Sequence, residues 1–322
     1  MKKFLNDLRE ELKKQKLTAQ EIEDILKDHE EMIQTAIDEG LQEEELANKF
    51  GDPSKIAAEL AELGGQEETK KGASDAYETW KSFDGEDTLD VRVEVVDEDI
   101  HYKPSENGKI NVLYRGEGTL GQYELSYENK VLRLKAPKRS GFLSFLSRNK
   151  NTLDFIIEIP ENVKITSVYQ KSVNGDIRVD QMKTASFELS TVNGDALITK
   201  SSLGHTKWNG VNGDLNVTDV KMKSLKFSLV NGDLSVSRCE VEESLNVHTV
   251  SGDAKITDTT CGECGFHSVS GDITGEEFYP KKVSLKSVSG DILIKNKEDR
   301  GIEVARKKSV SGTVDIRIKN QT

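Results

Sequence analysis

Four residues, Val-Asn-Gly-Asp or Val-Ser-Gly-Asp, return along the second half of the chain at a nearly fixed interval. The asparagine form stands at Val173–Asp176, Val192–Asp195, Val211–Asp214 and Val230–Asp233. The serine form follows at Val250–Asp253, Val269–Asp272 and Val288–Asp291, and a degenerate Val310–Thr313 ends the series. The steps are 19, 19, 19, 20, 19, 19 and 22 residues. A unit this short cannot bury an apolar face alone and must stack on copies of itself. The spacing therefore predicts a parallel β-solenoid from about Val168 to Ile318. Strands in a sheet lie about 4.8 Å apart, so seven steps span roughly 34 Å.

Each position of the repeat becomes a column in such a stack. The glycines Gly175, Gly194, Gly213, Gly232, Gly252, Gly271, Gly290 and Gly312 are expected to mark a corner and to supply a positive φ there. The valine before them is expected to fill one core ladder. A second ladder is Ile177, Ala196, Leu215, Leu234, Ala254, Ile273, Ile292 and Val314, and a third lies two residues further on, from Val179 to Ile316. A fourth, ahead of the corner, holds Leu189, Trp208, Phe227, Val247, Phe266 and Leu285. The aspartates from Asp176 to Asp291 leave two readings open. They could hold calcium, although the nine-residue glycine-rich repeat of the calcium β-roll is absent, or they could accept backbone N–H bonds at the corner. The asparagines Asn174, Asn193, Asn212 and Asn231 suit a hydrogen-bonded ladder.

The rest of the chain divides by period. Residues 1–65 read as an acidic helical domain. Phe4, Leu5, Leu8 and Leu12 fall at helical spacing, Thr18 with Glu21 forms a capping box, and Pro53 suits the first turn of a last helix. Residues 66–79 are polar and Gly-rich and read as a linker. Residues 80–167 alternate with period two and read as an irregular β region capping the solenoid, which occupies 168–322. The fold class expected is α plus all-β, multidomain: a small helical domain, an irregular β region and a single stack of about eight 19-residue coils.

Charge and motif content narrow the function. The net charge is −12, and residues 1–65 hold 9 Lys/Arg against 17 Asp/Glu, or −8 of it. Such a balance argues against nucleic-acid binding, which needs clustered cations. No apolar run reaches the roughly 20 residues of a membrane span, and Asn6, Asp7, Arg9 and Glu10 interrupt any secretory core, so a cytoplasmic location with peripheral envelope association is expected. Cys261 and Cys264 form a lone C-x-x-C, which only Cys239 could join, and zinc needs four ligands. His248 and His267 are 19 residues apart and should stack on an outward face. Trp208 should pack in the core. No nucleophile, zinc-protease or P-loop motif is present, so no catalytic residue, metal site or cofactor is expected. One loop, 138–150, concentrates cations and apolar side chains without an acid: Lys138, Arg139, Phe142, Leu143, Phe145, Leu146, Arg148 and Lys150. It suits contact with an anionic membrane or a partner, or else a cap over the open end of the first coils.

The repeated corners, following the strand Ile156–Pro160 (IIEIP), resemble the bacterial "putative adhesin" β-repeat family, a domain of unknown function. The helical segment, with KFGDPSKIAAEL at Lys49–Leu60, resembles the HAAS signalling domain. The combination is similar to LiaX-type envelope-stress proteins of Gram-positive bacteria. The resemblance implies a non-catalytic regulator or scaffold whose helical domain binds a protein partner through residues 1–65, while the solenoid presents an interaction surface to an envelope ligand. The alternative is a surface adhesin or carbohydrate-binding solenoid. The family offers no catalytic residues to carry over.

Overall fold

The computed structural model describes residues 2–15, scattered positions between 22 and 57, and residues 76–116, 118–137 and 153–318. The chain divides into two units: Met1–Gly72 with Pro137–Asn151, and Ala73–Ala136 with Thr152–Thr322. In the first, helix α1 (Lys2–Lys13) buries Phe4, Leu8 and Leu12. Their i, i+4 spacing places them on one face. Ile22, Leu26, Ile33 and Ile56 are also buried. A last helical turn at 53–57 starts as Pro53 requires: Asp52 accepts the Ser54 N–H at 2.9 Å through Oδ1, and its carbonyl receives the Ile56 N–H at 3.0 Å. That is an N-cap followed by proline at the first helical position. The capping box at Thr18 and Glu21 lies outside the described residues, as does the loop 138–150 with its four cations and four apolar side chains.

The second unit is a two-sided β-solenoid. Its entry strands are β1 (Glu78–Asp84), β2 (Thr88–Glu94), β3 (Ile100–Pro104), β4 (Lys109–Gly116), β5 (Glu124–Glu128), β6 (Val131–Lys135), β7 (Leu153–Ile159), β8 (Lys164–Lys171) and β9 (Ile177–Asp180). The regular coils follow as β10 (Lys183–Ser190), β11 (Ala196–Thr199), β12 (Ser202–Asn209), β13 (Leu215–Thr218), β14 (Lys221–Leu229), β15 (Leu234–Ser237) and β16 (Glu240–Thr249). The last are β17 (Ala254–Ser268), β18 (Ile273–Ser287), β19 (Ile292–Asn296), β20 (Glu303–Lys308) and β21 (Val314–Ile318). Long strands stack in register on one side, as in Leu189↔Trp208 and Trp208↔Phe227. Short strands stack on the other, as in Ile198↔Val217 and Val217↔Val236. Strands β17 and β18 run unbroken through the second corner and serve both sides. The three inward ladders predicted from Ile177, Val179 and Leu189 lie between the two sides, and one core runs from Leu89 to Val314.

Coils begin earlier than the first repeat motif. Strands β2 and β8 pair in parallel, as do β3 and β9. Between β2 and β3, Val96-Asp97-Glu98-Asp99 takes the place of Val-Asn-Gly-Asp. The Val96 carbonyl receives the Asn174 N–H at 2.7 Å, and Asp99 Oδ1 accepts the Asp176 N–H at 2.8 Å. Buried Glu98 closes this first corner by accepting the N–H of Val96 at 2.6 Å and the hydroxyl of Tyr123 at 2.7 Å. Beyond it β6 and β7 stack in parallel on β2 and β3. Antiparallel strands finish this end: β4 on β7, β1 on β4, and β5 on β6. The described strands between residues 80 and 167 thus share the solenoid's sheets and core.

Two expectations about the repeat need correction. The valine column does not fill the core. Val192, Val211, Val230, Val250, Val269 and Val288 are 41–45% exposed. The residue before the valine points inward and is buried at Ser172, Thr191, Leu229, Thr249, Ser268 and Ser287, and alternation along extended chain turns the valine out. The second correction concerns the corner glycines Gly175, Gly194, Gly213, Gly232, Gly252, Gly271, Gly290 and Gly312. Only Gly213 and Gly232 have φ in the left-handed range, at 122° and 134°. What all eight share is close approach. A Cβ on Gly252 would lie 1.7 Å from the carbonyl oxygen of Gly232, and one on Gly175 would lie 1.9 Å from that of Glu98. Left-handed backbone occurs instead at the opposite corner, on Gln181, Lys200, Asp219, Arg238, Asp258 and Glu277, with φ of 47–57°.

The two corners therefore respond to substitution in opposite ways. Gly252→Ala should destabilise by more than about 2 kcal/mol, because backbone must move to admit the methyl group. Lys200→Gly should leave stability unchanged or raise it by up to about 1 kcal/mol, since it removes a left-handed β-carbon. Urea midpoints followed by circular dichroism test both, and a large loss from Lys200→Gly would contradict the assignment.

Candidate ligand groove beside the valine column

Each corner is held by hydrogen bonds from coil to coil. The Asn193, Asn212 and Asn231 N–H groups donate to the carbonyls of Val173, Val192 and Val211 at 2.6–2.8 Å. Their side-chain amides form the expected ladder, Nδ2 to the preceding Oδ1, at 2.8, 2.7 and 3.1 Å. Where serine replaces asparagine, the hydroxyls of Ser270, Ser289 and Ser311 donate to valine carbonyls at 2.9–3.1 Å. The aspartates form a second ladder. Oδ1 of Asp176, Asp195, Asp214, Asp233, Asp253 and Asp272 accepts the next aspartate's N–H at 2.7–2.9 Å. Asp291 Oδ1 accepts from Thr313 at 2.6 Å. One oxygen of each carboxylate thus has a structural task. Among the described residues no group of three or more His, Cys, Asp or Glu is arranged to hold a metal.

At four coils the inward hydroxyl ahead of the valine clamps its own corner, while Thr191 Oγ1 and Ser309 Oγ are buried without a partner. Ser172 Oγ and Thr249 Oγ1 accept the N–H of Gly175 and Gly252 at 3.2 and 2.9 Å. The hydroxyls of Ser268 and Ser287 donate to the carbonyls of Gly271 and Gly290. Two adjacent coils carry Gly210 and Leu229 at this position, and their corner glycines are Gly213 and Gly232, the two with positive φ. An open groove of about 460 Å³ lies over this irregularity. Gly210 and Leu229 line it together with Val230, Val250, Val269, His248 and His267.

Its polar rim is the in-register column Asn209, Ser228, His248 and His267, which Lys286 and Lys308 continue beyond the groove. His248 and His267 stack as the spacing predicts, with ring centroids 4.7 Å apart and planes within 5°. Parallel stacking sets both rings side by side instead of converging them on one ion. His267 pairs in register with Lys286, and Lys286 with Lys308. Partial desolvation, then the charges of Lys226 and Lys286, hold His248 below the usual imidazole value. Desolvation, Lys286, His248 and Arg306 do the same for His267. Two ring nitrogens here are buried without a hydrogen-bond partner, Nδ1 of His267 and Nε1 of Trp208. The indole nitrogen lies 2.9 Å from where a Cβ on Gly210 would stand, directly under the groove floor.

The other candidates hold no comparable arrangement. Trp208 is 1% exposed and packs against Phe227. Cys239, Cys261 and Cys264 are free and buried; burial pushes the Cys261 thiol up to about 12 and holds Cys264 well above the usual thiol value. Such thiols are not poised for redox chemistry or metal binding. His205 Nδ1 is 3.0 Å from Ser224 Oγ and 4.0 Å from Glu243 Oε2. Both partners reach the same nitrogen on an exposed face, so the imidazole cannot pass a proton between them as a triad does. The sequence reading missed the groove because it placed the valines inside; Ser/Thr recurring just ahead of six of the eight valines was the available signal.

Comparison with known proteins agrees with this architecture. The HAAS model matches residues 3–59. A crystal structure from Parabacteroides distasonis ATCC 8503, described as a putative lipid binding protein, superposes with a TM-score of 0.53 at 17% identity, covering 76% of this chain and 97% of that one. Another from Parabacteroides merdae ATCC 43184, described as a putative adhesin, gives a TM-score of 0.50 at 15% identity over 76% and 98% of the two chains. No curated protein matches. The model of the Toastrack DUF4097 family spans residues 87–322, which covers the whole solenoid with its first coil, and the chain belongs to that family.

Proposed function

We propose that this chain is a non-catalytic scaffold or regulator associated with cell-envelope stress, whose helical segment binds a protein partner and whose solenoid presents a ligand-binding surface. The observation that carries the reading is the outward valine column. Evenly spaced, half-exposed apolar side chains along a rigid stack suit recognition. Among the described residues, nothing beside them forms a nucleophile with a base and an orienting acid. The HAAS match over residues 3–59 and the −8 charge of residues 1–65 support a partner with a basic surface. No described helix is long and apolar enough to cross a membrane, and the location we favour is cytoplasmic with peripheral contact at the envelope. The cation-rich loop 138–150 is the segment proposed to make that contact. The adhesin and lipid-binding descriptions belong to the two Parabacteroides proteins. A carbohydrate-binding role finds little support in Trp208, which is buried where a stacking platform would need it exposed.

Deleting residues 1–65 should abolish retention of the partner that the full chain retains from stressed cells. Complexes with the full chain should weaken several-fold between about 0.05 and 0.3 M salt, as expected of a charged contact. Equal retention by the truncated chain, or binding indifferent to salt, would contradict the partner assignment. Turnover of a cell-wall polymer by the purified protein would contradict the non-catalytic one.

A further inference from the structure

We infer that the groove beside the valine column binds an anionic amphiphile, a single acyl chain lying along the valines with its charged head at the histidine–lysine rim. The inference rests on the reading of the solenoid as a ligand-presenting surface and names the ligand's chemistry. Three independent features converge. The floor and one wall are apolar, built from Leu229, Val230, Val250 and Val269, and the volume of about 460 Å³ falls in the roughly 300–1,000 Å³ range of small-molecule sites. The other wall is polar, built from Asn209, Ser228, His248 and His267, and runs on into two lysines within an acidic protein of net charge −12. His248, His267, Lys286 and Lys308 follow one another in register along it, and Arg306, opposite Ser284 on the preceding coil, adds a cation whose charge helps keep the His267 imidazole neutral. Finally, the buried Trp208 Nε1 and the His267 Nδ1 have no partner. An unmet buried polar atom is costly; His267 Nδ1 lies on the side proposed for the charged head, while the Trp208 indole under the floor that Gly210 keeps open serves as a reporter.

The geometry also sets the ligand's shape. The groove extends from Gly210 to Val269, across three coil steps of about 4.8 Å, or roughly 14 Å. That track is long and narrow, open along its length, and polar on one side. A straight chain fits it better than a compact ring system. An anion at one edge would meet the lysines without crossing the exposed aspartates of the corner.

The probe is dodecyl phosphate, kept below its micelle-forming concentration and titrated into full-length protein. The chain has two tryptophans, so a Trp80→Phe background leaves Trp208 as the only indole reporter beneath the groove. A saturable change in Trp208 fluorescence is expected, with calorimetry giving the same dissociation constant. Val250→Asp, at a position 42% exposed, should weaken binding at least tenfold. Lys286→Glu should weaken it at least fivefold without touching the apolar track, and it decides the matter should Val250→Asp fail to fold. Dodecyl maltoside should bind at least tenfold more weakly than dodecyl phosphate, and inorganic phosphate should give no change. No saturable binding by the parent, unchanged affinity in both variants, or equal affinity for the uncharged detergent would overturn the assignment. Loss of the amphiphile assignment with partner retention through residues 1–65 intact would leave the scaffold reading standing. Loss of both would remove it.

Discussion

Successive corners of this solenoid touch through their main chains, and the glycine column exists to permit that contact. From Gly194 to Gly312, an added Cβ would fall within 1.7–2.5 Å of the preceding corner glycine's carbonyl oxygen, closer than any side chain tolerates. The rest of the repeat follows from this approach. With the corner closed, the valine carbonyl lies within reach of the next coil's N–H, the Asn or Ser side chain can bond to its neighbour, and Asp Oδ1 can accept the next coil's amide. At Ser172, Thr249, Ser268 and Ser287 the hydroxyl ahead of the valine then points in and ties the corner from inside. Alternation leaves the valine side chain no place but the surface.

The groove is where that logic lapses. Gly210 and Leu229 stand where other coils carry a serine or threonine, the two corners that follow adopt left-handed φ, and the indole nitrogen of Trp208 is buried beneath without a hydrogen-bond partner. A repeat that obeyed its own rule throughout would present a uniform ridge. The two exceptions make a depression instead, beside the part of the long-strand side where stacked histidines meet lysines. Local departure from a repeat's consensus is a physical marker of a site, because each departure leaves a group without its usual partner.

The repeat made the stack, its register and three of its four inward columns legible from the chain alone. Equal spacing forces equal placement, and His248 and His267 stack for the same reason. The valine column was misread because a β-branched apolar residue at every period looks like core; the small hydroxyl residue beside it was the buried one. The glycines were assigned to a torsional role when the deciding factor was distance to a neighbouring coil, which no single coil reveals. Val96-Asp97-Glu98-Asp99 escaped notice because glutamate replaces glycine, and a buried carboxylate meeting a tyrosine 25 residues away cannot be foreseen from spacing. The groove depends on two exceptions in adjacent coils and on their joint effect on an indole beneath them, so it too becomes visible only in three dimensions.

The asparagine, serine and aspartate ladders at the corners run from coil to coil, along the stack. Under tension such bonds behave differently across the molecule and along it. A pull at right angles to the axis would shear many of them at once. A pull along the axis loads the coils in series, so that the outermost coil yields first and its neighbours stay intact, as nearest-neighbour stability requires. Each released coil of about 19 residues would add roughly 63–68 Å of extended chain. The N-terminal end is closed by antiparallel strands and the far end by β20 and β21, so peeling starts at the latter. Held at one end and drawn from the other, the protein would lengthen in equal increments, a graded fuse between two attachment points.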